Sequence, residues 1–291
     1  MMRILRMMQT IDARYLYALL MLSVALPFFI PFQLPVVVTP ETEALYDAVE
    51  NLPANSFVLV GIDWNAGSRG ENRPQTTVIL RHLMARHLRF ALLDFSDPQG
   101  ATLGEEIAHE LQGQYGYQEG RDWVNFGYQV DMVNWLKSFV LNVPGQVQTD
   151  SSGKPVASLP VMQGIRTARN IPLVIDITPT GSYQTYIQFM AGPYRNSMKM
   201  GVALTAVMAP DAYNYLDSHQ IVGLLAGLTG AAEYQSRFAQ EYDKGLLLRS
   251  RVTRYSNSSS SAHILIICLI LMGNIAMILE RRQRARLHAK G

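Results

Sequence analysis

Short apolar runs that alternate with helical segments are the feature that most constrains the fold of this chain. Five such runs occur between residues 56 and 210: SFVLVGIDW, RFALLDF, DWVNFGY, IPLVIDITP and KMGVALTAVMAP. Continuous apolar runs of this length are typical of strands that are buried on both faces. Because segments with helical periodicity separate them, they predict a mainly parallel sheet with helices on both faces.

The predicted fold class is therefore α/β, a three-layer, Rossmann-like and mainly parallel sheet of about five strands. Right-handed crossover connections favour a doubly wound sheet, and the Rossmann pattern gives the strand order 3-2-1-4-5. The longest irregular insert, residues 142 to 170, precedes the fourth strand. An insert of this length is either a binding element or a tolerated solvent-exposed loop.

Two apolar segments flank this α/β region. Residues 15 to 38 contain no charged side chain, and residues 262 to 279 contain only His263 and Asn274 as strongly polar members. About 20 apolar residues suffice to cross the hydrocarbon layer of a membrane. The alternatives are a cleaved signal peptide for the first segment and a buried core helix for the second. The length of the first and the basic run after the second favour two transmembrane helices, one N-terminal and one C-terminal.

The distribution of basic residues predicts the orientation. Residues 1 to 14 carry a net charge of +2 and residues 280 to 291 carry +4, so the total of +2 leaves −4 for the segment between them. Basic tails stay in the cytoplasm and contact anionic lipid headgroups. The chain is thus expected in the cell membrane, crossed twice, with both termini cytoplasmic. Residues 39 to 244 form the extracytoplasmic domain, and residues 245 to 261 form a flexible serine-rich linker.

The sequence carries no familiar motif for a cofactor. The only cysteine, Cys268, lies in the second apolar segment, so the α/β region has no disulfide, thiol nucleophile or cysteine metal site. The glycine-containing loop after the first strand matches neither a dinucleotide motif nor a phosphate loop. No cofactor and no metal are predicted. Nucleic acid is not an expected partner either, because the flanking span already accounts for the basic tail.

Aspartates at the ends of the predicted strands are the candidate ligand-binding residues. Asp63, Asp94 and Asp176 each stand at or near the end of a strand, and in the predicted order Asp63 and Asp176 flank the point where strand order reverses. Clustered carboxylates can bind a divalent cation or act as an acid–base pair. The alternative is that each caps a helix or braces a turn. Ser182 joins the set, although a nucleophilic serine would need a nearby histidine base, and the histidines are expected at solvated positions.

The stretch GLLAGLTGAAEY, residues 223 to 234, predicts a closely packed helix that begins near Asp217 or Ser218. Its small residues recur at three- and four-residue steps and so fall near one face. Because glycine costs a helix roughly 1 kcal/mol relative to alanine, another backbone must approach that face. It belongs either to the domain's own sheet or to a neighbouring subunit. The predicted packing or interface residues are Gly223, Gly227, Gly230 and Ala231, together with Tyr213 and Tyr215 of the preceding loop.

The order of these segments resembles a family of uncharacterised prokaryotic membrane proteins. The resemblance rests on TPETEALYDAVENLP, FVLVGIDW and the stretch QIVGLLAGLTGAAEY, and it extends over nearly the whole chain. It implies an α/β domain between two transmembrane anchors. It implies no particular activity.

The leading functional prediction is a non-enzymatic, membrane-anchored α/β scaffold or interaction subunit. Its expected partners are the lipid bilayer and either other membrane subunits or a second copy of the chain. One alternative is an extracytoplasmic small-ligand sensor or transport accessory that binds in the cleft near Asp63 and Asp176. The other is a metal-dependent membrane-bound hydrolase that uses the same aspartates.

Overall fold

The structure, a computed structural model, describes residues 12–30, 32 and 34–288, with side chains as far as residue 282. It divides into two compact units. Residues 36–245 form the α/β unit. Residues 1–35 and 246–291 form the terminal unit.

Six parallel strands form the sheet of the α/β unit, in the order β3-β2-β1-β4-β5-β6. The predicted order of the first five strands is confirmed, and a sixth strand extends the sheet beyond β5. The strands are β1 (Phe57–Ile62), β2 (Arg89–Asp94), β3 (Trp123–Tyr128), β4 (Leu173–Thr178), β5 (Lys199–Leu204) and β6 (Gly223–Ala226). Every residue of β1 and β4 is buried, as the continuous apolar runs require.

Helices cover both faces of the sheet. The helices of this unit are α2 (Pro40–Glu50), α3 (Arg69–Ala85), α4 (Pro98–Tyr115), α5 (Met132–Phe139), α6 (Val143–Gln146), α7 (Ser182–Tyr186), α8 (Ala209–Asp217) and α9 (Gly227–Glu241). On one face α2, α3, α4 and α9 pack together. On the other, α5, α7 and α8 join one hydrophobic cluster with alternate residues of the strands, for example Leu59 and Val174. The three-layer, Rossmann-like α/β class is therefore confirmed.

The insert between α5 and β4 is part of the core. Val143, Val147, Val156 and Val161 are buried in the hydrophobic cluster on the α5 face. The peptide N–H of Ser151 also donates to the carbonyl oxygen of Asn125 in β3 at 2.8 Å. The four valines anchor the insert to the core, while more than half of its residues are exposed.

The glycine-rich stretch is a strand, a turn and a helix, so the predicted single helix is wrong. Gly223 opens β6, Gly227 turns the chain with a φ of +59°, and α9 follows. The preceding YNYLD segment is not a loop but α8. The spacing of the small residues arises from two close approaches in different elements. A Cβ on Gly223 would lie 2.4 Å from the Leu45 nitrogen of α2, and one on Gly230 would lie 2.9 Å from the Leu225 carbonyl carbon of β6.

Two apolar helices dominate the terminal unit: α1 (Ala13–Phe29) and α11 (Arg251–His288), the latter preceded by the short α10 (Leu246–Arg249). Among the described residues, one helical segment, Arg251–Arg282 in α11, is long and apolar enough by length and composition to cross a membrane. The first apolar helix, at 17 residues, is shorter than the predicted span at residues 15 to 38. Two transmembrane flanks are therefore not shown.

The serine-rich segment is helical from Arg251 onward, where a flexible linker is predicted. Its polar side chains contact the end of α1. Ser258 donates to the Val24 carbonyl oxygen at 2.8 Å, and Asn257 donates to the Phe32 carbonyl oxygen. These hydrogen bonds connect the polar stretch to α1 and to the chain just after it, so its serine and asparagine side chains have partners within the terminal unit.

Candidate active site

The candidate site lies at the carboxyl ends of β1 and β4, the point where strand order reverses. Asp63 follows β1, Asp176 lies near the end of β4, and Asp94 is the last residue of β2. All three side chains are fully buried. The structure brings them together as predicted, because the charge of each influences the ionisation of a neighbour.

Three buried oxygen atoms converge on Gly61. A Cβ at Gly61 would lie 2.7 Å from Asp176 Oδ1, 3.1 Å from the Tyr186 hydroxyl and 3.3 Å from Asp63 Oδ2. Among the described residues, no protein N–H donates to these three atoms. Asp63 is close enough to both Asp176 and Tyr186 for hydrogen bonds between the side chains, and a protonated carboxyl group supplies the hydrogen for one of them. The cluster is therefore suited to holding a proton between its buried carboxyl groups.

Burial dominates the ionisation of the carboxyl pair. Burial raises the pKa of Asp63 well above its ordinary value, and the charge of Asp176 raises it further. The Phe95 N–H, which donates to Asp63 Oδ1 at 2.6 Å, partly opposes this rise. Burial also raises the pKa of Asp176, to about 7, against the hydrogen bond from Ser182. Both carboxyl groups therefore bind a proton more tightly than an exposed aspartate does.

Asp94 fits the alternative role of a structural brace. Its Oδ1 accepts from the Ser96 N–H at 2.8 Å, and its Oδ2 accepts from the Ala101 N–H in the first turn of α4 at 2.9 Å. Burial raises the pKa of Asp94 to about 8, and the charge of Asp63 adds to this, while the backbone N–H donors oppose it. Asp94 thus holds the β2–α4 turn beside the pair.

Ser182 connects the pair to the protein surface. It is half-buried at the start of α7, and its Oγ lies 2.7 Å from Asp176 Oδ2 and 2.9 Å from Thr178 Oγ1. The Ser182 hydroxyl group therefore contacts a carboxyl group, whereas a histidine was the base expected from the sequence. The turn at Thr178–Thr180 brings Ser182 back over the end of β4. The sequence alone does not show this contact.

The histidines lie elsewhere, and one of them is not solvated as predicted. His82 is fully buried; its Nδ1 lies 2.7 Å from the Tyr234 hydroxyl and its Nε2 lies 2.8 Å from Glu50 Oε2. This cluster joins α2, α3 and α9. The sequence places Tyr234 at the end of GLLAGLTGAAEY without indicating its contact with His82.

Tyr186 and Gly61 are site residues that were not predicted from the sequence. Burial raises the pKa of Tyr186 well above its ordinary value, and the neighbouring acids raise it further, so the phenol stays neutral. A π-helical segment, Ile187–Ala191, follows directly. Such segments are frequent at functional sites, but no short sequence pattern announces this one.

The predicted interface residues make contacts within the α/β unit. Tyr213 donates to Glu41 Oε1 at 2.7 Å, and Tyr215 packs edge-on against Tyr183 with 5.4 Å between ring centroids. Ala231 is fully buried. Glu233 accepts hydrogen bonds from Thr39 at the start of α2, so it is not directed into the cleft. Use of this surface by another subunit or a second copy stays a prediction.

Among the residues that the structure describes, no three His, Cys, Asp or Glu side chains are grouped so as to hold a metal ion. The observed partners of the two carboxyl groups are a backbone N–H for Asp63 and a hydroxyl group for Asp176.

Several solved structures match this chain, and two of them are trehalose-phosphate synthases. No protein-family model matches this sequence, and no curated protein matches it. An α,α-trehalose-phosphate synthase (UDP-forming) from Burkholderia vietnamiensis matches 88% of this chain and 52% of its own, with 13% identity and a TM-score of 0.28. A trehalose-6-phosphate synthase matches 89% of this chain and 49% of its own, with 12% identity and a TM-score of 0.32. The chain spans about half the length of these structures.

These matches correct the leading functional prediction. Both matched proteins are named as synthases, and this contradicts the prediction of a non-enzymatic scaffold or interaction subunit. That prediction is withdrawn together with its sensor and metal-dependent hydrolase alternatives. With TM-scores of 0.28 and 0.32, this similarity assigns no substrate or reaction to this chain.

Proposed function

We propose that the chain is a membrane-tethered enzyme in which the Ser182 hydroxyl is the nucleophile and Asp176 is its general base. The observation that carries this proposal is the 2.7 Å contact between Ser182 Oγ and Asp176 Oδ2. It joins a half-buried hydroxyl to a fully buried carboxyl pair at the carboxyl edge of a doubly wound sheet. In open α/β sheets, this edge is where ligands bind.

The ionisation of the pair suits proton transfer near neutral pH. A general base is most effective when its pKa lies near the working pH, and the pKa of Asp176 is raised to about 7 by burial. A serine hydroxyl is a weak nucleophile until an adjacent base takes its proton. The raised pKa of Asp63 disfavours a second negative charge in the pair.

The character of the site favours an uncharged electrophile. The groups that dominate the pKa of Asp63 and Asp176 are acids and hydrogen-bond donors of the backbone or of hydroxyl groups. None of these groups is a cation that would neutralise a phosphate, and the base form of Asp176 is itself negatively charged. An acyl carbonyl brings no charge of its own. We therefore assign acyl-group transfer as the reaction class.

In that reaction, Ser182 Oγ forms a bond to the acyl carbon while its proton moves to Asp176. The bond from the acyl carbon to the leaving group then breaks, and the leaving group takes the proton from Asp176. A second nucleophile, water or an alcohol, gives its proton to Asp176 and removes the acyl group from Ser182. Asp176 is returned to its starting state after the leaving serine oxygen takes that proton back.

A serine-directed fluorophosphonate probe tests this assignment on the purified full chain in detergent. We expect covalent labelling at Ser182, and we expect it to be absent in Ser182→Ala and strongly reduced in Asp176→Asn. Ser197→Ala is the matched control, because that exposed serine donates only to the Tyr194 carbonyl oxygen among its described contacts. Turnover of a panel of p-nitrophenyl esters provides a second readout. If Ser182 is not labelled and ester turnover does not depend on Ser182, the proposal is without support.

Membrane orientation is the second part of the proposal. The net charges of +2 and +4 on the two tails support a cytoplasmic location for both termini, with the α/β unit outside. This requires α1 to act as the second span, with the residues that follow Phe29 contributing to its length. Reporter fusions at residues 1 and 291 test the arrangement. A terminus found outside the cytoplasm would exclude two spans in this orientation.

A further inference from the structure

A polar cleft lies at the carboxyl end of β3, apart from Ser182. It has a volume of about 520 Å³ and is bounded by the first turns of α4, the end of β3 and residues 149 to 152 of the long insert. Small-molecule sites typically occupy 300–1,000 Å³. The cleft therefore has room for a ligand the size of one or two sugar rings.

A β-bulge shapes this cleft. Along the β2–β3 pair, Leu92 faces Asn125 and Asp94 faces Tyr128, so β3 has one residue more than β2 over this step. Gly127 takes up the extra length with a φ of +74°. Bulges commonly redirect a side chain beside a functional site. In a regular strand, Asn125 and Tyr128 would lie on opposite faces of the sheet, because they are three positions apart. The bulge brings both of them to the cleft wall.

The polar groups on the wall are held in fixed positions. Glu105 Oε2 accepts from Asn125 Nδ2 at 2.6 Å and from Ser151 Oγ at 3.3 Å. Gln129 is fixed at both ends of its amide, because its Oε1 accepts from Trp135 Nε1 at 2.9 Å and its Nε2 donates to the Phe126 carbonyl oxygen at 2.8 Å. Preorganised polar groups reduce the entropy lost on binding.

The charge of the wall selects against anionic ligands. Its ionisable carboxyl groups are Glu105 and Asp150, and none of the described residues that line the cleft is a Lys or an Arg. Phosphate and carboxylate ligands normally require such cations. The Tyr128 ring is 38% exposed and offers an apolar face beside these planar polar groups.

We propose that this cleft binds a neutral saccharide, with Tyr128 packing on the C–H face of a sugar ring and Glu105 accepting from its hydroxyl groups. The insert contributes Ser151 and Thr149 to the same wall, which gives this segment a role in binding. The proposal is independent of the acyl-transfer assignment, because Ser182 does not line the cleft.

Ligand-observed NMR and calorimetry on the full chain test the proposal. The probes are glucose, galactose, mannose, maltose and sucrose, with glucose 6-phosphate and glucosamine as charged comparators. We expect at least one neutral sugar to bind and glucose 6-phosphate to bind more weakly. Glu105→Gln should weaken binding about tenfold or more, the loss expected for one hydrogen bond to a charged group. Tyr128→Ala should also weaken binding, because it removes the aromatic face on which the sugar packs.

Matched variants make the result interpretable. Glu110→Gln removes a carboxylate from the same helix that pairs with Arg73 outside the cleft, so sugar binding should be unchanged. Ser182→Ala should also leave it unchanged, which separates this cleft from the proposed active site. Thermal unfolding of each variant verifies folding. Absence of binding by every neutral sugar, preference for glucosamine over all of them, or binding unaffected by both Tyr128→Ala and Glu105→Gln would overturn the assignment.

Discussion

Ser182 donates a hydrogen bond to Asp176 over 2.7 Å and so connects a buried carboxyl pair to a partly exposed hydroxyl group. Burial of the Asp63–Asp176 pair should lower the stability of the fold, because an ionised carboxyl group is costly to bury. Asp176 has a pKa of about 7 in the folded chain against an ordinary value of 3.8. A raised carboxyl pKa means that the folded state binds more protons than the unfolded state between these values. Stability is therefore lost as pH rises from about 4 to 7.

The first prediction is that Asp176→Asn stabilises the fold at alkaline pH. Asparagine keeps an oxygen for Ser182 but carries no charge to bury. At pH 8, we expect the midpoint of thermal unfolding to rise by at least about 2–4 °C, the shift that 1 kcal/mol produces in a domain of 150–250 residues. The gain should be smaller at pH 5, where Asp176 itself is protonated.

Asp97→Asn is the control for this measurement. Asp97 caps α4 through its Oδ1, and asparagine is an equally good N-cap. We expect little change in the unfolding midpoint at either pH. A loss of stability in Asp176→Asn at pH 8 would mean that the carboxylate braces the fold, and this outcome would count against a catalytic pair.

The second prediction concerns the pH dependence of labelling at Ser182. Because the base form of Asp176 accepts the serine proton, the labelling rate should rise as pH increases through about 7 and then level off. In Asp176→Asn, the rate should fall by about a hundredfold or more, within the range that general base catalysis contributes. A rate in the native chain that is flat between pH 5.5 and 8.5 would argue against Asp176 as the base.

Features set by a short stretch of sequence are predictable here, whereas features set by contacts between residues far apart in the chain are not. Continuous apolar runs such as FVLVGI and LVIDIT report burial on both faces, so the first five strands and the strand-end aspartates are readable from local pattern. The sixth strand, GLLA, has only four residues and leads directly into a helix. The small residues of this stretch have a helical spacing only by coincidence, because Gly223 and Gly230 are required by two separate packing contacts.

The chemistry of the site is less readable than its position. Asp63 and Asp176 are predictable because parallel strands bring their carboxyl ends to one edge. The contact of Tyr186 with Gly61, and the return of Ser182 over Asp176, depend on the turn and helix that follow β4. Neither contact has a spacing rule in sequence. The same holds for His82, whose buried partners come from two other helices.

The third prediction is that His82 makes the fold sensitive to mild acid. Burial lowers the pKa of His82 to about 4, from an ordinary value of 6.5. The unfolded state then binds one proton more than the folded state between pH 4 and 6.5. The contribution of His82 to stability should therefore fall by roughly 3 kcal/mol as pH decreases through this window, opposite in sign to the contribution of Asp176. Hydrogen bonds from His82 and Tyr242 outweigh burial and lower the pKa of Glu50, which adds a loss of the same sign.

Urea unfolding at pH 7 and pH 4.5 measures this effect. His82→Gln should be less stable than the native chain at pH 7 but should lose less stability on acidification. His109→Gln is the control, because the His109 side chain is 42% exposed, and it should follow the native chain at both pH values. Equal acid sensitivity in the native chain and His82→Gln would show that other groups dominate in this range.

The fourth prediction distinguishes a required glycine from an incidental one. A Cβ at Gly223 would lie 2.4 Å from the Leu45 nitrogen and 2.7 Å from the Glu41 carbonyl oxygen, both backbone atoms of α2. Because backbone atoms within a helix cannot move individually, α2 would have to shift away from β6. We expect Gly223→Ala to destabilise the α/β unit by at least about 1–3 kcal/mol, the usual cost of overpacking.

Gly113→Ala provides the opposite case within the same chain. Gly113 lies exposed in α4, and a Cβ there would meet nothing within 4 Å. Since alanine favours helix over glycine by roughly 1 kcal/mol, this variant should be as stable as the native chain or more stable. Denaturant unfolding of the two variants under identical conditions gives the comparison. If Gly223→Ala were as stable as Gly113→Ala, the close contact of α2 with β6 would not be what requires glycine at residue 223.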